Sequence, residues 1–137
     1  MNARNSDVHL LIADNKQRWR NFTKEILTNN GYVVDTSGTI KKMIRLIKED
    51  GYDLIILSSD LLTKSSLDQL EKLLSPSYKN RMIVMSEPYL SRTKSLEESR
   101  LVFKIGFKDW TIKPMGRQAL IDLINTFLVE QAEKYNC

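Results

Sequence analysis

Asp53-Leu54-Ile55-Ile56-Leu57-Ser58-Ser59-Asp60 is an unbroken apolar run that ends on two hydroxyls and an acid. Successive side chains of a β-strand point to opposite faces, so apolar residues at every position mean that both faces are covered. That is the pattern of an inner strand in a parallel sheet. Met82-Ile83-Val84-Met85 repeats it, and Val8 to Ala13, Tyr32 to Val34 and Trp110 to Ile112 supply further apolar runs. Five strands are therefore expected.

The intervening segments carry apolar residues at helical spacing: Lys16 to Thr28, Thr39 to Glu49, Leu67 to Leu74, Leu96 to Ile105 and Arg117 to Ala132. In the last of these, Leu120, Ile121, Ile124, Phe127 and Leu128 recur on one face. Asn29-Asn30-Gly31 and Asp50-Gly51 read as helix ends, Ser65 or Ser66 as a cap for the third helix, and Ser95 with Glu98 as a capping box for the fourth. Glu87 to Lys94 is then a long connection containing Pro88 and Tyr89. Strict alternation of strand and helix implies right-handed crossovers and a doubly wound α/β domain. Ligands of such domains bind beyond the carboxyl ends of the strands. The residues there are Asp14 and Asn15, Ser58 to Asp60, Ser86 and Glu87, and Lys113 with Pro114.

The chain has 137 residues, 42% of them hydrophobic, which suits one domain (1–137, core about 8–129) with a single core. Lys and Arg outnumber Asp and Glu by 21 to 17, but the cations are scattered and no basic block is interleaved with aromatics. Direct nucleic-acid binding is therefore not expected. The single cysteine, Cys137, permits neither an intrachain disulfide nor a thiolate metal cage. No apolar run has the length of a membrane span, and Met1-Asn2-Ala3-Arg4-Asn5-Ser6 lacks the apolar core of a secretion signal, so a cytoplasmic location is expected.

The strand-end residues, taken in order, resemble those of response-regulator receiver domains over Val8 to about Val129. The resemblance implies a flavodoxin-like (βα)5 three-layer sandwich with strand order 2-1-3-4-5. In that family two acids follow the first strand, an aspartate ending the third strand accepts a phosphoryl group from a histidine kinase, a Ser or Thr ends the fourth strand, and Lys-Pro ends the fifth. By this correspondence Asp14 and Asn15 stand for the acid pair, Ser58 for the phosphoacceptor, Ser86 for the hydroxyl switch, Trp110 for the switch aromatic and Lys113 for the lysine. Pro114 resembles the family's cis-proline, an isomer that the sequence alone leaves open.

The departures bear on the chemistry. Serine at position 58 removes a charged nucleophile and leaves an alcohol that would need a general base, so the family's acyl phosphate cannot form there. With Asn15 neutral as well, the acidic trio falls to one charge, Asp14. Glu87 is bulky and anionic where the family keeps a small residue after its switch hydroxyl, and it would repel a phosphoryl donor if it pointed inward. Leu62 replaces a common proline. Magnesium wants octahedral oxygen ligands, which these positions supply poorly. No cofactor is expected, and a residual cation site on Asp14, Asn15 and Asp60 is the alternative. Lys113 then needs an anion, which Asp14 or Asp60 can provide. Trp110 is read as packing against the sheet edge more than as a switch. Trp19 is expected to be packed or cation-stacked, and His9, which has no partner motif, to be a strand-end residue rather than a catalytic base.

The resulting expectation is a non-enzymatic pseudo-receiver, a protein-interaction module of signal transduction that works without phosphorylation. Its partner would be a signalling protein: a histidine kinase, a response regulator or an effector domain. The family's common docking face, built from the fourth helix, fifth strand and fifth helix, would here present Arg100, Lys104, Lys108, Trp110, Arg117 and Gln118, and could also pair two copies. The alternative is a phosphorelay receiver modified on Asp60 or Ser58. A flavin carrier fits less well, because Asp14-Asn15-Lys16-Gln17 lacks a Ser/Thr/Gly-rich phosphate cradle.

Overall fold

A computed structural model describes residues 5–88 and 92–135; Tyr89 and Cys137 lie outside them. Five parallel strands, β1 (His9–Ala13), β2 (Val33–Ser37), β3 (Leu54–Ser58), β4 (Met82–Ser86) and β5 (Asp109–Ile112), form one sheet in the order β2-β1-β3-β4-β5. This is the flavodoxin-like arrangement. The helices are α1 (Gln17–Asn29), α2 (Ile40–Glu49), α3 (Lys64–Leu73), the one-turn α4 (Pro76–Lys79), α5 (Arg92–Ile105) and α6 (Arg117–Tyr135). The docking face expected from the sequence thus corresponds to α5, β5 and α6.

All five residues of β3 are buried, and the alternation of its side chains explains why. Ile55 and Leu57 join the cluster under α2, α3 and α5, together with Leu11, Val84 and Val102. Leu54 and Ile56 join the opposite cluster under α1 and α6, with Leu10, Ile12, Leu27, Ile124 and Phe127. Each such side chain, once buried, contributes about 1.5–3 kcal/mol of transfer free energy. The strands are held rigidly, and so are the residues at their ends.

Several local expectations need correction. The cap of α3 is Thr63, not Ser65 or Ser66: its hydroxyl accepts from the Ser66 N–H, and the Ser66 hydroxyl accepts from the Thr63 N–H. Ser66 serves instead as the partner of the box. Ser95 lies inside α5, which begins at Arg92, so no capping box starts there. None of residues 92–95 breaks a helix, and propagation costs little once a turn exists. The connection after Glu87 is correspondingly shorter than expected. Pro76 starts a one-turn helix that the sequence reading missed, and proline is well placed at a first helical position. Gly31, with φ of 95°, closes α1 as expected. The Lys113–Pro114 bond is trans.

His9 is not without a partner. Its Nε2 lies 2.8 Å from Asp35 Oδ2, to which the Tyr52 hydroxyl also donates at 2.8 Å. Burial pushes the Asp35 carboxyl up, but the hydrogen bonds from Tyr52 and His9 outweigh it and hold it below its ordinary range. This cluster sits at the amino ends of the strands, across the sheet from the polar rim.

Candidate functional site

The register of the sheet brings the rim together. Ala13 pairs with Leu57, Ser58 with Met85 and Ser86 with Ile112, so Asp14, Ser58, Glu87 and Lys113 leave their strands at one edge. Backbone bonds carry the alignment one residue further: Asp14 N–H donates to Ser37 O at 2.9 Å, and Lys113 N–H to Ser86 O at 2.8 Å.

Lys113 is the centre of the site. It is 5% exposed, and its ammonium lies 2.7 Å from Asp14 Oδ2 and 2.6 Å from Glu87 Oε1. The expectation that Lys113 pairs with Asp14 or Asp60 needs correction for Asp60. Ser86 stands opposite Ile112, so the residues that follow, Glu87 and Lys113, are neighbours across the sheet, whereas Asp60 is carried outward on the short 3-10 turn Ser59–Leu61. Asp60 meets Lys16 at 3.1 Å, and the Lys16 ammonium also donates to Glu87 Oε1. Glu87 therefore points inward and is bridged by two lysines. It was read from the sequence as an obstacle, and it is also a counter-ion.

Asp14 makes two further contacts. Its Oδ1 accepts from the Lys16 N–H at 2.8 Å, and its backbone carbonyl accepts from Arg20 Nη1 at 2.6 Å. Arg20 in turn lies across Gly38, where a Cβ would come within 3.0 Å of the guanidinium. Asn15 is exposed. Ser58 is 2% exposed, and its Oγ accepts from the Asp60 N–H at 3.3 Å, capping the 3-10 turn. The donor set does not fit magnesium. Its carboxylates are spent on ammonium groups, and among the described residues no cluster of three or more His, Cys, Asp or Glu is placed to hold a metal ion.

The electrostatics of Glu87 give a pH dependence. Burial pushes its carboxyl up, but the hydrogen bonds from Lys113 and Lys16 prevail and hold it below its ordinary 4.5. The hydrogen bond to Glu87 likewise raises Lys16 above 10.5, against a smaller effect of burial. A carboxyl depressed by folding stabilises the fold above its unfolded value, and that stability is lost as pH falls through the folded value. Below pH 4.5 the native protein should therefore lose stability more steeply than Glu87→Gln, as followed by urea midpoints across an acid titration. Parallel profiles would count against the bridge.

Ser86 faces a different set of groups. Its hydroxyl donates to Glu98 Oε2 of α5 and accepts from the Trp110 Nε1–H at 2.6 Å. The indole packs against the cluster of Leu57, Val84 and Val102. Glu98, assigned from the sequence to a cap, instead accepts from the Ser86 hydroxyl. Trp19 stacks beneath Lys113, whose ammonium lies 5.1 Å from its ring centroid, and packs on Phe22 at 5.5 Å, as expected of a cation-stacked aromatic.

The response regulator receiver domain family matches residues 10–125. The chain belongs to that family. A response regulator receiver domain protein (CheY-like) from Methanospirillum hungatei is 26% identical, with a TM-score of 0.75 over 93% of this chain and 98% of that one. Two further structures speak to the fold alone. NtrX from Brucella abortus is 19% identical with a TM-score of 0.75, covering 93% of this chain but 28% of the longer protein. An orphan response regulator of H. pylori is 20% identical with a TM-score of 0.69, covering 92% and 99%.

Arg100, Lys104, Arg117 and Gln118 are exposed, and Lys108 and Trp110 are partly buried beside them. The sequence reading missed Phe103, 63% exposed, and Leu96, 51% exposed, both on α5, together with Ile112, 46% exposed, on the edge strand β5. For Phe103 and Leu96 the signal was available: they are apolar residues of the helical segment that fall off the stripe made by Val102 and Ile105. Among the described residues no helix is long and apolar enough to cross a membrane.

Proposed function

We propose that this receiver is a phosphorylation-independent interaction module, a single unit of about residues 8–129, whose phosphoacceptor pocket has become a closed ion-pair network. The observation that carries the reading is Glu87, seated between Lys113 and Lys16. In the family the lysine after the fifth strand stabilises phosphoryl oxygens; here an internal carboxylate satisfies it. Ser58 offers an alcohol already used as an acceptor, and among the described residues no histidine or carboxylate is hydrogen-bonded to its Oγ as a base. The chain would turn over no substrate, and its output would be a bound protein.

The face for that protein is α5, β5 and α6. Phe103, Leu96 and Ile112 are exposed apolar residues of these elements, and Arg100, Lys104 and Arg117 are exposed cations of them. Aromatic and apolar anchors within a charged border are what protein interfaces use, whether the partner is a kinase, a regulator, an effector domain or a second copy. Phe103→Ala is expected to weaken such a complex by about 2 kcal/mol, a typical anchor effect, with the fold unchanged.

The competing reading is phosphorylation on Asp60, whose carboxylate lies on the rim against Lys16. Incubation with magnesium and acetyl phosphate, followed by intact-mass measurement, separates the two. The expected result is an unchanged mass. A phosphoryl adduct abolished by Asp60→Asn would overturn the proposal in favour of a phosphorelay role, and one abolished by Ser58→Ala would move that role to the serine.

A further inference from the structure

Beside the ion-pair network lies a groove of about 610 Å³, bounded by α1 and by the loops that follow β4 and β5. That volume is in the range of small-molecule sites. Its apolar surface comes from Trp19, Phe22, Pro88, Pro114 and Met115. Met115 is 79% exposed and adds apolar surface at the groove's edge. Gly116, with φ of 122°, forms the turn after it.

The charged residues of the groove are unbalanced: Lys16, Arg18 and Lys113 against Glu87. Lys113 is already neutralised by Asp14 and Glu87. Lys16 is about half exposed and is itself paired with both Glu87 and Asp60. Arg18 makes no ion pair with the described residues. An aromatic floor with one spare guanidinium and one shared ammonium at its edge complements a molecule with an apolar body and a single anionic head.

We propose that this groove binds a small amphiphilic carboxylate, with its body on Trp19 and Phe22 and its head between Arg18 and Lys16. The ligand draws Lys16 away from Glu87, leaving Glu87 to Lys113 alone. Occupancy is thereby linked to the same rim that holds Ser86 and, through it, Trp110. The assignment uses the reading of Glu87 as the internal anion, but it adds a ligand that the reading does not require.

Phenylbutyrate and its neutral amide are suitable probes, titrated into the nitrogen-labelled full chain while the indole N–H resonances of Trp19 and Trp110 are followed by two-dimensional NMR. The expected result is a saturable shift of Trp19 with phenylbutyrate and binding about tenfold weaker for the amide, the usual consequence of losing a charge-assisted hydrogen bond. Arg18→Glu, at an exposed position, should weaken phenylbutyrate by a similar factor without altering the rest of the spectrum. Glu87→Gln should strengthen it by removing one of the two carboxylates that hold Lys16, leaving only Asp60 to compete. Equal affinity of acid and amide, no saturation, or shifts centred on Trp110 would overturn the proposal. So would an acidic amphipathic peptide moving the Trp19 signal where phenylbutyrate does not, which would assign the groove to a protein. These outcomes are independent of the phosphorylation test: an unchanged mass with acetyl phosphate and no phenylbutyrate binding would remove the ligand and leave the interaction module standing.

Discussion

Replacing Lys113 by methionine is expected to lower stability by about 3–5 kcal/mol, because it leaves a buried carboxylate without its cation. Methionine nearly conserves the volume, so packing contributes little of the loss. Asp14 is 1% exposed and would keep the Lys16 N–H but lose its ammonium 2.7 Å away. Glu87 would suffer less, because Lys16 also reaches it. Urea unfolding gives the measurement, and the double variant Asp14→Asn with Lys113→Met decides the cause. If the uncompensated charge is responsible, the double variant recovers most of the loss, since replacing both partners of a buried pair is often near neutral. A loss below about 1 kcal/mol in the single variant, the level of an exposed ion pair, would show that the network is hydrated and its internal neutralisation incomplete.

Ser86→Ala is expected to cost about 1–3 kcal/mol and to release Trp110. One hydroxyl serves two groups here, accepting from the indole N–H and donating to Glu98. Its removal strands a partly buried donor on one side and a carboxylate on the other. The readout is twofold: a shifted urea midpoint, and a red shift of emission as the indole meets water, measured in a Trp19→Phe background so that Trp110 alone reports. Binding at the α5–β5–α6 face should fall in parallel, since Trp110 is part of it. Ser58→Ala, by contrast, removes only the cap of a 3-10 turn and should leave binding intact. An unchanged emission maximum in Ser86→Ala would mean that apolar packing alone holds the ring.

The strand-end residues were legible because a parallel sheet puts every carboxyl end on one rim, whatever the side chains then do. Asp14, Ser58, Ser86, Glu87 and Lys113 could be listed from spacing and resemblance. Their partners could not. Glu87 was read as a block, because its conformation depends on the lateral pairing of β4 with β5, which has no counterpart in local sequence. Glu98 looked like a capping residue because Ser95 stands three places before it, yet α5 starts earlier and turns Glu98 toward Ser86. His9 showed no partner motif because Asp35 and Tyr52 arrive from other strands and loops.

The sequence by itself determined the sheet, the order of its layers and the serine that ends β3, because apolar periodicity and residue identity are properties of the chain alone. Tertiary structure decided which charge meets which: that Lys113 is shared by Asp14 and Glu87, that Asp60 is left to Lys16, and that Trp110 hangs on Ser86. Those choices rest on distances of a few ångströms between segments far apart in the chain. Only the folded sheet, with β4 beside β5 and β3 beside β1, sets them.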